Sequence, residues 1–222
     1  MRQSSLHTEI KDWYKQQGGQ VEVNIDGYII DVVQDKLLFE IQIGNFASLR
    51  SKLGDLLDKY QIRLVHPIAE ERWIVTLPIQ GEQPISRRKS PKRGRTEHIF
   101  SELVYIHQFI HHPNFSLEIL FIRDEVIRIG DGRGSWRRKG VSIIDHRLLD
   151  ICDRKLLTSV GDYRLLIPDS LQTPFTNRDL STTLGISENL AQRMTYCLRS
   201  IGVVQIEGKR GKSILYSVIH RP

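Results

Sequence analysis

The chain has 222 residues, 40% hydrophobic and 26% charged, which is enough apolar material for a core in each of two small units and excludes a disordered composition. Its formal net charge of +6 is unevenly spread: residues 1–78 carry nine Lys/Arg against eleven Asp/Glu, so the positive excess lies downstream, where a polyanionic partner is expected. Two distant cysteines, Cys152 and Cys197, exclude a disulfide framework and a CxxC zinc site, and no run approaches the roughly 18 apolar residues of a membrane span; a soluble cytoplasmic protein is expected.

Residues 6–17 place Leu6, Ile10, Trp13 and Tyr14 at helical spacing, and Gly18-Gly19 stops the helix. Residues 21–25 then alternate as a strand. Asp26-Gly27 supplies a two-residue hairpin turn into a second strand, 28–33, and Asp35-Lys36 leads to a third, 37–43. The three strands are expected to form a meander. Phe46, Leu49, Leu53, Leu56, Leu57 and Tyr60 mark the buried stripe of a helix starting near Asn45, and strands are expected at 62–66 and, after Pro67, at 72–77.

The composition then shifts. Residues 80–96 hold Arg87, Arg88, Lys89, Lys92, Arg93 and Arg95 among Gly, Pro and Ser, as an exposed basic linker does. A helix is expected over 98–111, a hairpin from 117–122 and 125–129, a basic Gly-rich loop over 131–140 and a helix over 148–157. That loop gathers Arg133, Arg137, Arg138 and Lys139 around Trp136, in keeping with either a DNA contact or a solvated turn anchored by the indole. His107, His111 and His112 lack the further ligands of a metal site.

Thr176-Asn177-Arg178-Asp179 opens a helix of the capping-box kind, Gly185-Ile186-Ser187 forms a turn, and Leu190, Met194, Cys197, Leu198 and Ile201 mark a second amphipathic helix closed by Gly202. Strands at 203–206 and 214–218 follow, joined by a basic tip with Lys209, Arg210 and Lys212. This order resembles a winged helix-turn-helix. Asn189, Gln192, Arg193 and Tyr196 recur along the outer face of the second helix and are of the types that read base edges or grip phosphates. The tip would add salt-dependent contacts to double-stranded DNA.

Alternation along the third strand sets Glu40 and Gln42 on one face and Phe39, Ile41 and Ile43 on the other, with Asp31 on the neighbouring strand. Two carboxylates so placed can hold Mg²⁺ and leave the rest of its octahedron to water and phosphate, although polar residues on the solvated face of a sheet give the same pattern. A first helix with Glu9, a strand with Asp31, Glu40-Ile41-Gln42 on the next strand and a following helix together resemble the PD-(D/E)XK nuclease core, over roughly residues 1–78. The resemblance implies that Asp31 and Glu40 ligate Mg²⁺ or Mn²⁺, that Glu9 is the accessory acid, and that Gln42 stands where the family has Lys. Lys52 on the next helix is a candidate substitute for that charge.

The expected architecture is α/β: a restriction-endonuclease-like mixed sheet flanked by helices over 1–78, the linker over 79–96, a middle α+β region over 97–170 and the winged helix over 171–222. The expected function is metal-dependent DNA cleavage, by a homodimer because two strands need two sites. The alternative is a non-catalytic DNA-binding regulator on the same scaffold.

Overall fold

The computed structural model describes residues 4–78, 86–134 and 140–219. Helix α1 (Ser5–Gln16) leads into the meander β1 (Gln20–Ile25), β2 (Tyr28–Gln34) and β3 (Leu37–Ile41). The β1–β2 turn forms as the sequence predicts, because Asp26 and Gly27 both take positive φ, at 50° and 84°, which matches the twist of the flanking strands. Gly19 is required for another reason: a Cβ there would lie 2.5 Å from Val32 Cγ1. A 3-10 turn, Phe46–Leu49, and α2 (Arg50–Leu56) then lead into β4 (Gln61–Leu77).

From β4 onward several expectations are corrected. The two strands expected at 62–66 and 72–77 are one, since β4 runs through Pro67 without a break. Part of the expected linker, Ser86–Lys89, is a strand, β5, antiparallel to β4. Residues 98–111 hold 3-10 turns around a four-residue α3 (Phe100–Leu103) instead of one helix. The expected hairpin across Arg123-Asp124 is a single strand, β6 (Phe115–Ile129), and the helix expected over 148–157 belongs to β7 (Ser142–Leu157). In both places the local pattern was indecisive and pairing within the sheet chose the conformation. Among the described residues the sheet has seven strands in the order β1-β2-β3-β4-β6-β7, with β5 also on β4.

A short α4 (Val160–Arg164) precedes α5 (Asn177–Leu184), α6 (Glu188–Ser200) and the hairpin of β8 (Val204–Arg210) and β9 (Ser213–Val218). The predicted caps are present: Thr176 and Asp179 bond reciprocally at the start of α5, Gly185 ends it at φ 64°, and the Ser187 hydroxyl accepts from the Leu190 amide. Hydrogen bonds, first from the Thr176 amide and then from its hydroxyl and Arg210, hold the Asp179 carboxyl below its ordinary range. A depressed carboxyl stabilises the fold above its ordinary range, and the contribution is lost as pH falls below that range through the lowered folded-state value. Denaturant unfolding of wild type between about pH 6 and pH 2.5 should therefore show a steeper loss of stability than Asp179→Asn, whose amide still caps; equal slopes would refute the assignment.

The chain forms two compact units that interleave in sequence: residues 1–43, 65–95 and 119–155 in the first, and 44–64, 96–118 and 156–222 in the second. The first unit is cored by Leu6, Ile10 and Tyr14 of α1 against Val32, Phe39, Ile41, Val65, Leu120 and Ile122 of the sheet. In the second, Phe46, Leu53, Phe100, Leu103, Leu180, Met194 and Leu198 are buried.

Candidate functional site

The last paired residues of β2 and β3 are Val32 and Phe39, so the next residues outward are Asp31 and Glu40, where the ladder ends. The Asp31 Oδ2 takes up the backbone there, accepting from the Ile41 amide at 2.9 Å. The same oxygen lies 3.3 Å from His7 Nε2 on α1, and that nitrogen is 3.0 Å from the Ile41 carbonyl. Both neighbours of Nε2 are acceptors, so Nε2 carries the proton. Glu40 is buried at 5% exposure. Asp31 therefore keeps one oxygen for other partners, beside a buried carboxylate and under an imidazole.

One helical turn beyond His7, the buried Lys11 donates to the Glu22 Oε1 at 2.6 Å. Glu22 sits at φ 55° on β1, and the hydrogen bond from Lys11, reinforced by its charge, lowers the Glu22 pKa. His7 thus touches Asp31 directly, and the Lys11–Glu22 pair lies one helical turn farther along α1; the residue pattern alone gave His7 and Lys11 no role and left Glu22 a solvated charge. The four-residue spacing of His7 and Lys11 on one helix face was a legible signal; the irregular backbone at Glu22 was not.

The other predicted groups have contacts of their own. The Glu9 Oε2 accepts from the Leu148 amide of β7 at 2.5 Å, which ties α1 to that strand. Gln42 follows the end of β3; its backbone N–H donates to the Val65 carbonyl and its backbone carbonyl lies 2.7 Å from His66 Nδ1. Lys52 belongs to α2 in the second unit. Among the described residues no group of three or more His, Cys, Asp or Glu is gathered as a metal cluster.

On α6 the expected DNA-reading face divides in two. Asn189 and Gln192 are exposed in the first turns. Arg193 donates through Nη1 to the Ser101 carbonyl at 2.9 Å, and the Tyr196 ring meets His107 edge-on at 5.2 Å while staying 46% exposed, so both make contacts within the second unit. At the hairpin tip, Lys209 and Lys212 are exposed, while Arg210 bonds the Asp179 carboxylate at the α5 cap. Arg137, Arg138 and Lys139, with Trp136, lie outside the described residues. Cys197 is a core residue; burial pushes its thiol up to about 12.

Fold and site together define a mixed α/β protein with a pair of carboxylates where two strands part and a basic helix–helix–hairpin segment at its C-terminal end. The chain belongs to a family described as a domain of unknown function, DUF8091, whose profile matches residues 4–158, from the start of α1 to just past β7. It is 32% identical over 217 residues to an uncharacterized protein of Treponema pallidum (strain Nichols), an alignment covering 97% of this chain and 85% of that protein. No solved structure matches it. No described helix is long and apolar enough to cross a membrane.

Proposed function

We propose that this chain binds double-stranded DNA and cleaves it with Mg²⁺ or Mn²⁺ held by Asp31 and Glu40, on a restriction-endonuclease-like core followed by a winged helix. The observation that carries the reading is the end of the β2–β3 ladder at Val32–Phe39, which leaves the two carboxylates adjoining on neighbouring strands. Hard oxygen donors suit a small divalent cation, whose charge would offset the repulsion between them. When bound, that ion would supply Lewis-acid stabilisation of the phosphate oxygens. His7 holds the Asp31 carboxylate in place, and the Gln42 amide would orient water without adding positive charge. Asn189 and Gln192 would read base edges from the N-terminal turns of α6, with Lys209 and Lys212 on phosphates.

A second reading, DNA binding without cleavage, is favoured by a specific contact: the Asp31 Oδ2 already serves the Ile41 amide and His7. Nicking of supercoiled plasmid in Mg²⁺ or Mn²⁺ separates the two readings. Cleavage by wild type that Asp31→Ala and Glu40→Ala each abolish supports the nuclease; intact plasmid throughout, with duplex binding retained, leaves only the regulator. For the binding itself, Lys209→Ala/Lys212→Ala should reduce the slope of log affinity against log salt by about 2, roughly one per phosphate contact. An unchanged slope would remove the hairpin from the interface.

A further inference from the structure

The first unit contains a cavity of about 640 Å³, lined by residues of β4, β5, β6 and β7 and of the segment after β5. That volume falls in the range of roughly 300–1,000 Å³ typical of small-molecule sites. Its lining includes Arg72, Arg88, Lys92 and Arg128 together with Ile74 and Val126, and among the described residues no Asp or Glu lines it.

The charges divide sharply by strand face. On β5, Arg87 pairs with Glu125 at 2.7 Å and Lys89 with Glu71 at 2.5 Å, and both cations lie 5.2 Å from the centre of the Trp73 ring. Arg88, between them, is opposite Ile74 in the β4–β5 register and joins the cavity instead. Arg72 is neutralised by the buried Asp124. Arg128 donates through Nε to the neutral Thr76 hydroxyl at 3.0 Å and so retains its full charge. Arg88, Lys92 and Arg128 therefore bring to one recess three positive charges that no acidic group among the described residues pairs with, a focused potential that favours a multivalent anion. The apolar wall at Ile74 and Val126 would stay wet around a bare inorganic anion, and would be covered by a flat heterocycle attached to it. His146, also in the lining, has its imidazole held below its ordinary range by burial and by the nearby Arg72, so near neutrality it offers a hydrogen bond without adding charge.

We propose that this cavity binds a nucleoside 5′-phosphate, its phosphate dianion on Arg88, Lys92 and Arg128 and its base against Ile74 and Val126. The ligand is either a free mononucleotide or the 5′-phosphorylated end of a DNA strand. The site uses neither Asp31 nor Glu40, so it stands or falls apart from the cleavage reading.

Calorimetric titration of the full chain with the four deoxynucleoside 5′-monophosphates, the matching deoxynucleosides and inorganic phosphate tests the proposal. Anisotropy of a short single-stranded oligonucleotide with a 5′-phosphate or a 5′-hydroxyl identifies the source. At least one monophosphate, or the phosphorylated oligonucleotide, should bind saturably and at least tenfold tighter than its counterpart lacking phosphate. Arg88→Gln should weaken that binding at least fivefold, while Arg87→Gln, one residue away on the paired face, should change it less than twofold. Dependence on Arg88 for the oligonucleotide assigns the strand end, and dependence for the monophosphates alone assigns the free nucleotide. Both side chains are exposed, so folding is preserved in both variants, which circular dichroism melting checks. The proposal is overturned if neither ligand type saturates, if inorganic phosphate matches the nucleotides, or if the two variants behave alike.

Discussion

Tyr14→Ala is expected to destabilise the protein by about 4 kcal/mol, the scale of deleting a large buried aromatic ring. Tyr14 is only 2% exposed in the core that seats α1 on the sheet, with its ring 4.8 Å from Phe39 and 4.9 Å from Trp13, centre to centre. Neighbours on two sides belong to rigid elements, so the void cannot collapse. The melting temperature should fall by roughly 8–16 °C for a chain of this size. Tyr14→Phe, which keeps the ring, separates packing from the hydroxyl group. A loss below about 1 kcal/mol in Tyr14→Ala would show that α1 is held by other contacts.

The second large effect lies in the Arg72–Asp124 pair. Asp124 is fully buried, and Arg72 donates to it from Nε at 2.8 and 3.1 Å and from Nη2 at 2.5 Å. Removing one partner of such a pair strands a charge in a low-dielectric interior, at a cost of roughly 3–5 kcal/mol, whereas replacing both with apolar groups is often neutral. Arg72→Met is therefore expected to destabilise by about 3 kcal/mol, toward the lower end because Arg72 is itself 37% exposed. Arg72→Met/Asp124→Leu should recover most of that loss in urea unfolding. A double variant no better than the single one would mean that the two side chains are not coupled.

The same pair shows where the sequence stopped being legible. Elements specified by signals a few residues apart were readable: the Asp26-Gly27 turn, the α1 stripe, the Thr176–Asp179 box and the Gly185 stop all formed. Arg123-Asp124 looked like a turn because adjacent charges usually face water. In the fold Asp124 is satisfied by Arg72, 52 residues away, and Arg123 by Asp150 and Glu71, so the strand runs straight through. Only long-range partners reveal that. Strand β7 was misread for a related reason: Leu148 and Ile151 pack against the α1 core, a spacing that also fits a helix face.

At the candidate site, alternation within β3 and the neighbouring strand brought Asp31 and Glu40 into view, and the structure sets them on adjoining strands. What alternation could not supply was the setting. The contact of His7 with Asp31 and that of Lys11 with Glu22 depend on how α1 docks, and Arg193 and Tyr196 are engaged by residues of 96–118 that no local pattern on α6 foretells. The nucleotide-sized cavity was invisible for the same reason, since its cations come from three separate stretches of chain, around Arg72, Arg88–Lys92 and Arg128.

Each compact unit is assembled from three stretches of chain, alternating with those of the other. During synthesis the sheet must wait for residues 119–155 before β6 and β7 are complete, while the other unit stays incomplete until the β8–β9 hairpin leaves the ribosome. No single proteolytic nick can release either half as a self-sufficient fragment. Truncated versions intended to isolate the carboxylate pair or the basic hairpin should instead yield insoluble, protease-sensitive polypeptide.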